Sequence, residues 1–245
     1  DLDWIVTVPN MDPKIRPFET LGETPEEVVV KTGFGATIRK KYDDPMPAYL
    51  DFETDTIEKM AAFTFDDPRD SRRFFDSGDN QIAGVGDGFA RNTPPWIDSV
   101  RSLHPDFPVY GSVCEGHEML WRILGSPNAL LWMALYPDEI ARFIDRINEF
   151  SLALTEAQIE AAGGLLDGMV VWGDVAYTRD MLFSPDFWRT RFKPGVKAIV
   201  DVCHAHHIPV IYHGCGNVSR IFEDFIEIGV DAYNGREMWN RRLEN

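Results

Sequence analysis

The chain has 245 residues, 44% of them apolar and 12% aromatic, enough to bury a sizeable core in one large domain or two small ones. Forty acidic against 24 basic side chains leave a net charge of -16, which repels polyanions and argues against nucleic acid as a partner. No window holds about 18 uninterrupted apolar residues, so no membrane span is expected, and no basic and apolar leader opens the chain.

Three cysteines, Cys114, Cys203 and Cys215, lack the spacing of a disulfide framework, which fits a reducing, cytoplasmic setting. The chain opens at Asp1 rather than at methionine, which points to trimming or to a piece of something longer. No internal repeat, low-complexity tract or linker divides it.

Residues 1–25, rich in proline and acid, are expected to run irregularly over the surface. "EVVVKTGFGATIRKKY" (27–42) reads as two strands of a hairpin around Gly33-Phe34-Gly35. Its Arg39-Lys40-Lys41 reads as a solvated strand end. "DTIEKMAAF" is a short helix, and "SRRFFDSGD" (71–79) another. "PPWIDSVRSLH" is helical, and "FPVYGSV" (107–113) is a short apolar strand. "GHEMLWRILG" is a helix ended by Gly125, and Ser126-Pro127 is expected to cap the next, with Ser126 at the N-cap. Within "PDEIARFIDRINEFSLALTEAQIEAAG", Ile140, Phe143, Ile144, Ile147 and Phe150 mark one buried helical face.

"GMVVWGD" (168–174) is a second apolar strand. Ser184-Pro185 starts a helix that runs to about His207 and bends at Pro194. "IPVIYHGC" is a third strand, "NVSRIFEDFIEIG" a helix closed by Gly229, and "VDAYNG" (230–235) a fourth strand. Short apolar strands alternating with long helices imply βαβ units and a parallel sheet covered on both faces.

In parallel α/β folds the chemistry collects where strands end. After the first apolar strand come Cys114, Glu115 and His117; after the second, Asp174 and then Tyr177. His213 and Cys215 end the third, and Asn234 ends the fourth. One residue apart in extended backbone, His213 and Cys215 point to the same side. Imidazole and thiolate both bind Zn²⁺, and Gly214 and Gly216 let the backbone turn tightly around them. A third ligand has to come from Glu115, Asp174 or beyond. The competing reading is a glycine loop opening a helix, with His213 hydrogen-bonded and Cys215 merely packed. Asp174, Tyr177 and Arg179 form a loop suited to a polar ligand, or simply a capped lead into the Ser184 helix. "HAHH" (204–207) ends a helix, where cationic histidines suit the dipole. Cys114, Cys203, Trp121, Trp132 and Met133 read as core.

"GMVVWGDVAYTRDMLFSPDFWRTRFKPGVKAIVDVCHAHHIPVIYHGCGN" resembles the uroporphyrinogen decarboxylase superfamily, and so does "PVYGSVCEGHEMLWRILG". The likeness covers roughly residues 107–234. It implies a TIM (β/α)₈ barrel over 1–245, a single domain with an irregular N-terminal segment and hairpin in about the first 50 residues, incomplete at its C-terminus. Two chemistries occur in that superfamily. Its decarboxylases use no metal and have an arginine-rich N-terminal segment, which this sequence lacks. Its corrinoid-dependent relatives have a zinc motif, His-x-Cys followed far downstream by another cysteine. His213 and Cys215 match its first half, and no cysteine follows Cys215.

The resemblance therefore implies zinc-dependent methyl transfer from a methylcorrinoid to a thiol. His213 and Cys215 would hold Zn²⁺. Glu115 and Asp174 would complete the coordination or accept a proton, and His117, Tyr177, Arg179 and Asn234 would contact substrate. The implied partners are a small molecule, a corrinoid protein and a second copy of the chain. Decarboxylation of uroporphyrinogen is the alternative, and a truncated, non-catalytic ligand-binding barrel the third reading.

Overall fold

The computed structural model describes residues 4–44, 46–76 and 93–235. The chain enters through β1 (Ile5–Val6), which pairs in parallel with a strand more than a hundred residues later. The N-terminal segment is irregular just beyond β1, as expected, but residues 7–13 run through the interior and not over the surface. Thr7, Asn10, Met11 and Asp12 are buried, and Thr7 donates from both its amide and its hydroxyl to the Tyr110 carbonyl. Buried backbone needs partners, and a polar, proline-rich segment finds them as readily as an apolar one.

An antiparallel sheet follows, in the order β2 (Glu19–Glu23), β3 (Glu27–Lys31), β4 (Ala36–Lys41) and β5 (Ala48–Phe52). The expected hairpin is its central pair, with Val28 and Val30 facing inward from β3 and Ala36 and Ile38 from β4. β2 and β5 escape an apolar search because most of their residues are exposed. Lys40 is no solvated strand end. It shares the inward face of β4 and is fully buried, with its ammonium on the Asp44 carbonyl.

Then come α1 (Ile57–Ala62), α2 (Arg72–Phe75) and α3 (Trp96–Leu103). Of the helix expected over 71–79, only this one turn is seen, and residues 77–79 lie outside the described residues. From here strands and helices alternate. β6 (Val109–Cys114) leads to α4 (Gly116–Leu124), α5 (Ser126–Leu135) and the long α6 (Pro137–Ala162). Ser126 makes no capping bond; Gly125, at φ +81°, holds the N-cap position instead. β7 (Gly168–Trp172) precedes α7 (Pro185–Phe187), whose N-cap Ser184 accepts from the Phe187 amide. A π-helical turn (Trp188–Phe192) joins α7 to α8 (Lys193–Ala205). The irregularity expected at Pro194 thus lies just before it, and the Asn148 amide caps the Arg191 carbonyl there. β8 (Val210–His213), α9 (Phe222–Glu227) and β9 (Ala232–Asn234) complete the described chain. The ending 236–245 lies outside it.

The parallel strands stand in the order β1-β6-β7-β8-β9. Each later strand is added beside its predecessor, the singly wound order of a barrel and not the reversing order of a doubly wound sheet. Among the described residues this is a half-barrel sheet with open edges at β1 and β9, not a closed (β/α)₈ barrel. Beyond the short β1, the backbone of Ser112 is satisfied by the Gln158 amide from α6, which accepts from its N–H and donates to its carbonyl at 2.9 Å each. One apolar core joins the two sheets, from Val28 and Ile38 through Leu120 to Val171 and Val210. No described helix is long and apolar enough to cross a membrane.

Candidate functional site

Parallel register brings the ends of β6, β7, β8 and β9 to one rim. Cys114 pairs with Trp172, Trp172 with His213, and His213 with Asn234. On this rim Asp174, His213 and Cys215 each offer one ligand atom, and these atoms lie within 4.8 Å of one another. The His213 Nε2 to Cys215 Sγ distance is 4.0 Å. All three residues are half-buried. The geometry thus selects Asp174, not Glu115, as the third member.

Backbone contacts tie the two loops of this cluster together. The Cys215 amide donates to Asp174 Oδ1 at 2.7 Å. The Asn217 amide donates to the Tyr177 carbonyl at 2.9 Å, and its side chain to the Arg179 carbonyl at 3.0 Å. Gly216, at φ +89°, lies so close to Ala176 and Tyr177 that a β-carbon would overlap their backbone. Trp172 sets its ring edge-on to His213, with centroids 4.9 Å apart. Tyr177 and Arg179 are exposed beside the cluster. Asn234 is also exposed, and its carbonyl accepts from the Gly214 amide.

Glu115 sits lower. Its Oε1 accepts from the amides of His117 and Glu118 and so caps α4, while its Oε2 is buried without a partner. Burial, with the nearby negative charges of Glu118 and Asp174, pushes its carboxyl up to about 8. His117 is buried between Phe183 and Phe192, with ring centroids 4.8 and 5.8 Å away. Burial lowers its imidazole to about 4. It is buried, not exposed at the rim, and its ring hydrogen-bonds the backbone of Asp174. The Asp174 carboxyl is raised by burial and by the charge of Glu118, against the pull of the Cys215 amide and His213. Glu118 itself is tied to Arg122, whose Nε donates to its Oε1 at 2.8 Å, and to the Trp121 indole at 2.9 Å.

The other cysteines are excluded from this chemistry. Cys114 and Cys203 are buried, and burial drives both thiols to about 12. His204, in the "HAHH" run, pairs with Asp231 at 2.8 Å, away from the cluster. A cavity of about 620 Å³ opens among Arg69, Glu156, Leu166, His206 and Ile208. Leu166 and Ile208 precede β7 and β8, so that cavity lies at the opposite strand ends from Asp174, His213 and Cys215.

The donor set fits Zn²⁺. In a tetrahedral site, N and S ligands stand about 3.5 Å apart, given Zn–N near 2.0 Å and Zn–S near 2.3 Å. The His213–Cys215 spacing of 4.0 Å would close by about half an ångström, and the rest of the cluster, within 4.8 Å, by up to about an ångström more than that. Three protein ligands also match the catalytic class of zinc site, which keeps one position for substrate. A cation there would be held by the negative charge of Asp174, since Glu115 is raised to about 8 and Glu118 is paired with Arg122.

A family model described as uroporphyrinogen decarboxylase (URO-D) matches residues 91–242, more than half of the chain, and the chain belongs to that family. A solved structure of a methyltransferase from Methanosarcina mazei is 20% identical over 56% of this chain and 40% of its own, with a TM-score of 0.46. The match thus spans under half of that methyltransferase's length. No curated protein sequence matches the chain.

Proposed function

We propose that this chain is part of a zinc-dependent methyltransferase that moves a methyl group from a methylcorrinoid to a thiol, within the (β/α)₈ barrel its family membership implies. The observation that carries this reading is the convergence of Asp174, His213 and Cys215 at one strand-end rim.

Asp174, His213 and Cys215 would hold the ion, and the open side of the cluster, flanked by Tyr177 and Arg179, would admit the acceptor. A bound Zn²⁺ supplies the charge that keeps a coordinated thiol ionised at neutral pH. Overall, one S–C bond forms and one Co–C bond breaks with its electron pair left on cobalt. The thiol proton leaves to water, because Glu115, raised to about 8, keeps its own proton at neutral pH. Tyr177, Arg179 and Asn234 line the approach. A corrinoid protein would deliver the donor.

The family model's own description favours a second reading, decarboxylation of uroporphyrinogen. It requires basic groups for the substrate's carboxylates and leaves His213 and Cys215 without a task. Two assays separate the readings. Zinc-loaded protein should methylate a thiol from methylcobalamin, with activity lost in Cys215→Ser. Metal-free protein that binds or decarboxylates uroporphyrinogen, with Cys215→Ser equally active, would replace our reading with the second.

A further inference from the structure

Tyr212 and Tyr233 occupy paired positions on β8 and β9. Tyr212 donates its hydroxyl to the Gly173 carbonyl at 3.1 Å, and Tyr233 donates to the Gly214 carbonyl at 2.6 Å. The two bonds share one geometric rule. Tyr212 is in register with Val171, and Tyr233 with Tyr212. In each case the hydroxyl reaches the carbonyl two residues beyond its register partner, on the preceding strand. In each case that residue is a glycine whose amide donates to the strand on the tyrosine's side, Gly173 to His213 and Gly214 to Asn234.

Glycine is needed at both places. A β-carbon at Gly173 would overlap the Tyr212 hydroxyl, and one at Gly214 would come within 2.7 Å of the Gly173 carbonyl. The rings are also fixed. They stack on Phe225 of α9, at centroid distances of 4.4 and 5.7 Å, and lie 6.3 Å apart at 12° to each other. Gly173 immediately precedes Asp174, and Gly214 stands between His213 and Cys215. Anchoring these two carbonyls fixes the peptide planes that lead into Asp174 and Cys215, and the Gly173 amide holds the His213 carbonyl at 2.8 Å.

We propose that Tyr212 and Tyr233 are positioning residues for the Asp174–His213–Cys215 cluster, a repeated tyrosine–glycine clamp that aims its ligand atoms at one cation. The proposal rests on the metal reading above. Groups that orient metal ligands typically govern 10- to 100-fold in affinity.

The test is Zn²⁺ affinity, by competition with a chromogenic chelator, in wild type, Tyr212→Phe and Tyr233→Phe, together with the visible spectrum of the Co²⁺ forms. Each phenylalanine keeps the stacked ring and removes only the oxygen. Zinc binding is expected to weaken 10- to 100-fold, with a lower-intensity Co²⁺ d–d band. Ile147→Val, in the buried face of α6, should bind like wild type, which separates aiming from general loosening. Tyr233 lies at the sheet edge and is only half-buried, so Tyr233→Phe decides the matter if Tyr212→Phe does not fold. Wild-type affinity and spectrum in both variants would overturn the clamp and leave the metal reading standing. A wild-type protein that binds neither metal would overturn both.

Discussion

The Cys215 amide donates a 2.7 Å hydrogen bond to Oδ1 of Asp174. Two loops that leave neighbouring strands are thereby joined, and Asp174 both shapes the Cys215 loop and stands as a proposed ligand. The two roles come apart by substitution. Asp174→Asn keeps an oxygen acceptor for the amide and removes the charge, so it should hold its fold and lose metal affinity. Asp174→Ala removes both, and should cost about 1–3 kcal/mol of stability besides. Denaturant unfolding beside chelator competition reads the difference; equal unfolding midpoints for the two variants would deny Asp174 its structural share.

The glycines on the rim make a steric prediction. A β-carbon at Gly173 would press on the Tyr212 hydroxyl and lie 2.7 Å from Glu115 Cγ. Gly173→Ala should therefore destabilise by about 1–3 kcal/mol through overpacking. Gly216→Ala adds a left-handed backbone, at φ +89°, to a backbone clash. It should cost more than Gly173→Ala, and the ordering of the two melting temperatures checks it.

Much of this was legible in the sequence. The unbroken apolar runs "VYGSV", "GMVVW" and "PVIYH" mark buried parallel strands because both of their faces are covered. The strand-end rule then places Asp174, His213 and Cys215 on one rim before any distance is known. What periodicity could not supply was the choice between Glu115 and Asp174 as third member, since that depends on which carboxylate faces outward. Glu115 turns down to cap α4. The strands β1, β2 and β5 were hidden for a different reason: they carry few buried apolar side chains, and their pairing is a backbone matter. Tyr212 and Tyr233 read only as apolar strand residues, because the meaning of their hydroxyls lies on the adjacent strand. Asn217 likewise gave no signal; its partners are carbonyls on the loop after β7.

Glu115 makes a prediction for the metal-free protein. Its carboxyl is raised from 4.5 to about 8 by burial. Between those values the folded state keeps the proton and the unfolded state has lost it. The stability this group contributes is full below about pH 4.5 and is lost as pH rises toward 8. Asp12, raised by burial from 3.8 to about 7, acts in the same direction. Melting temperatures across pH 5 to 8 should therefore fall less steeply in Glu115→Gln than in wild type. An unchanged slope would mean that Glu115 titrates normally.

Arg73 secures the N-terminal segment. It is fully buried and donates to the carbonyls of Asn10, Asp12, Asp66 and Asp67, at 2.8–3.2 Å. Its ring partner is Phe150, 5.1 Å away. Arg73→Met fills the space but strands four acceptors, and should cost about 3–5 kcal/mol in denaturant unfolding. A loss below about 1 kcal/mol would show that water takes over those carbonyls without penalty.

The most direct measurement is the zinc content and affinity of the purified protein beside those of His213→Ala and Cys215→Ser, determined by elemental analysis and chelator competition. We predict one Zn²⁺ per chain in the wild type, lost from both variants and retained by Cys114→Ser, whose thiol is buried in the apolar core. Wild-type protein that takes up no zinc, or variants that hold it as firmly as wild type, would contradict a metal centre at Asp174, His213 and Cys215.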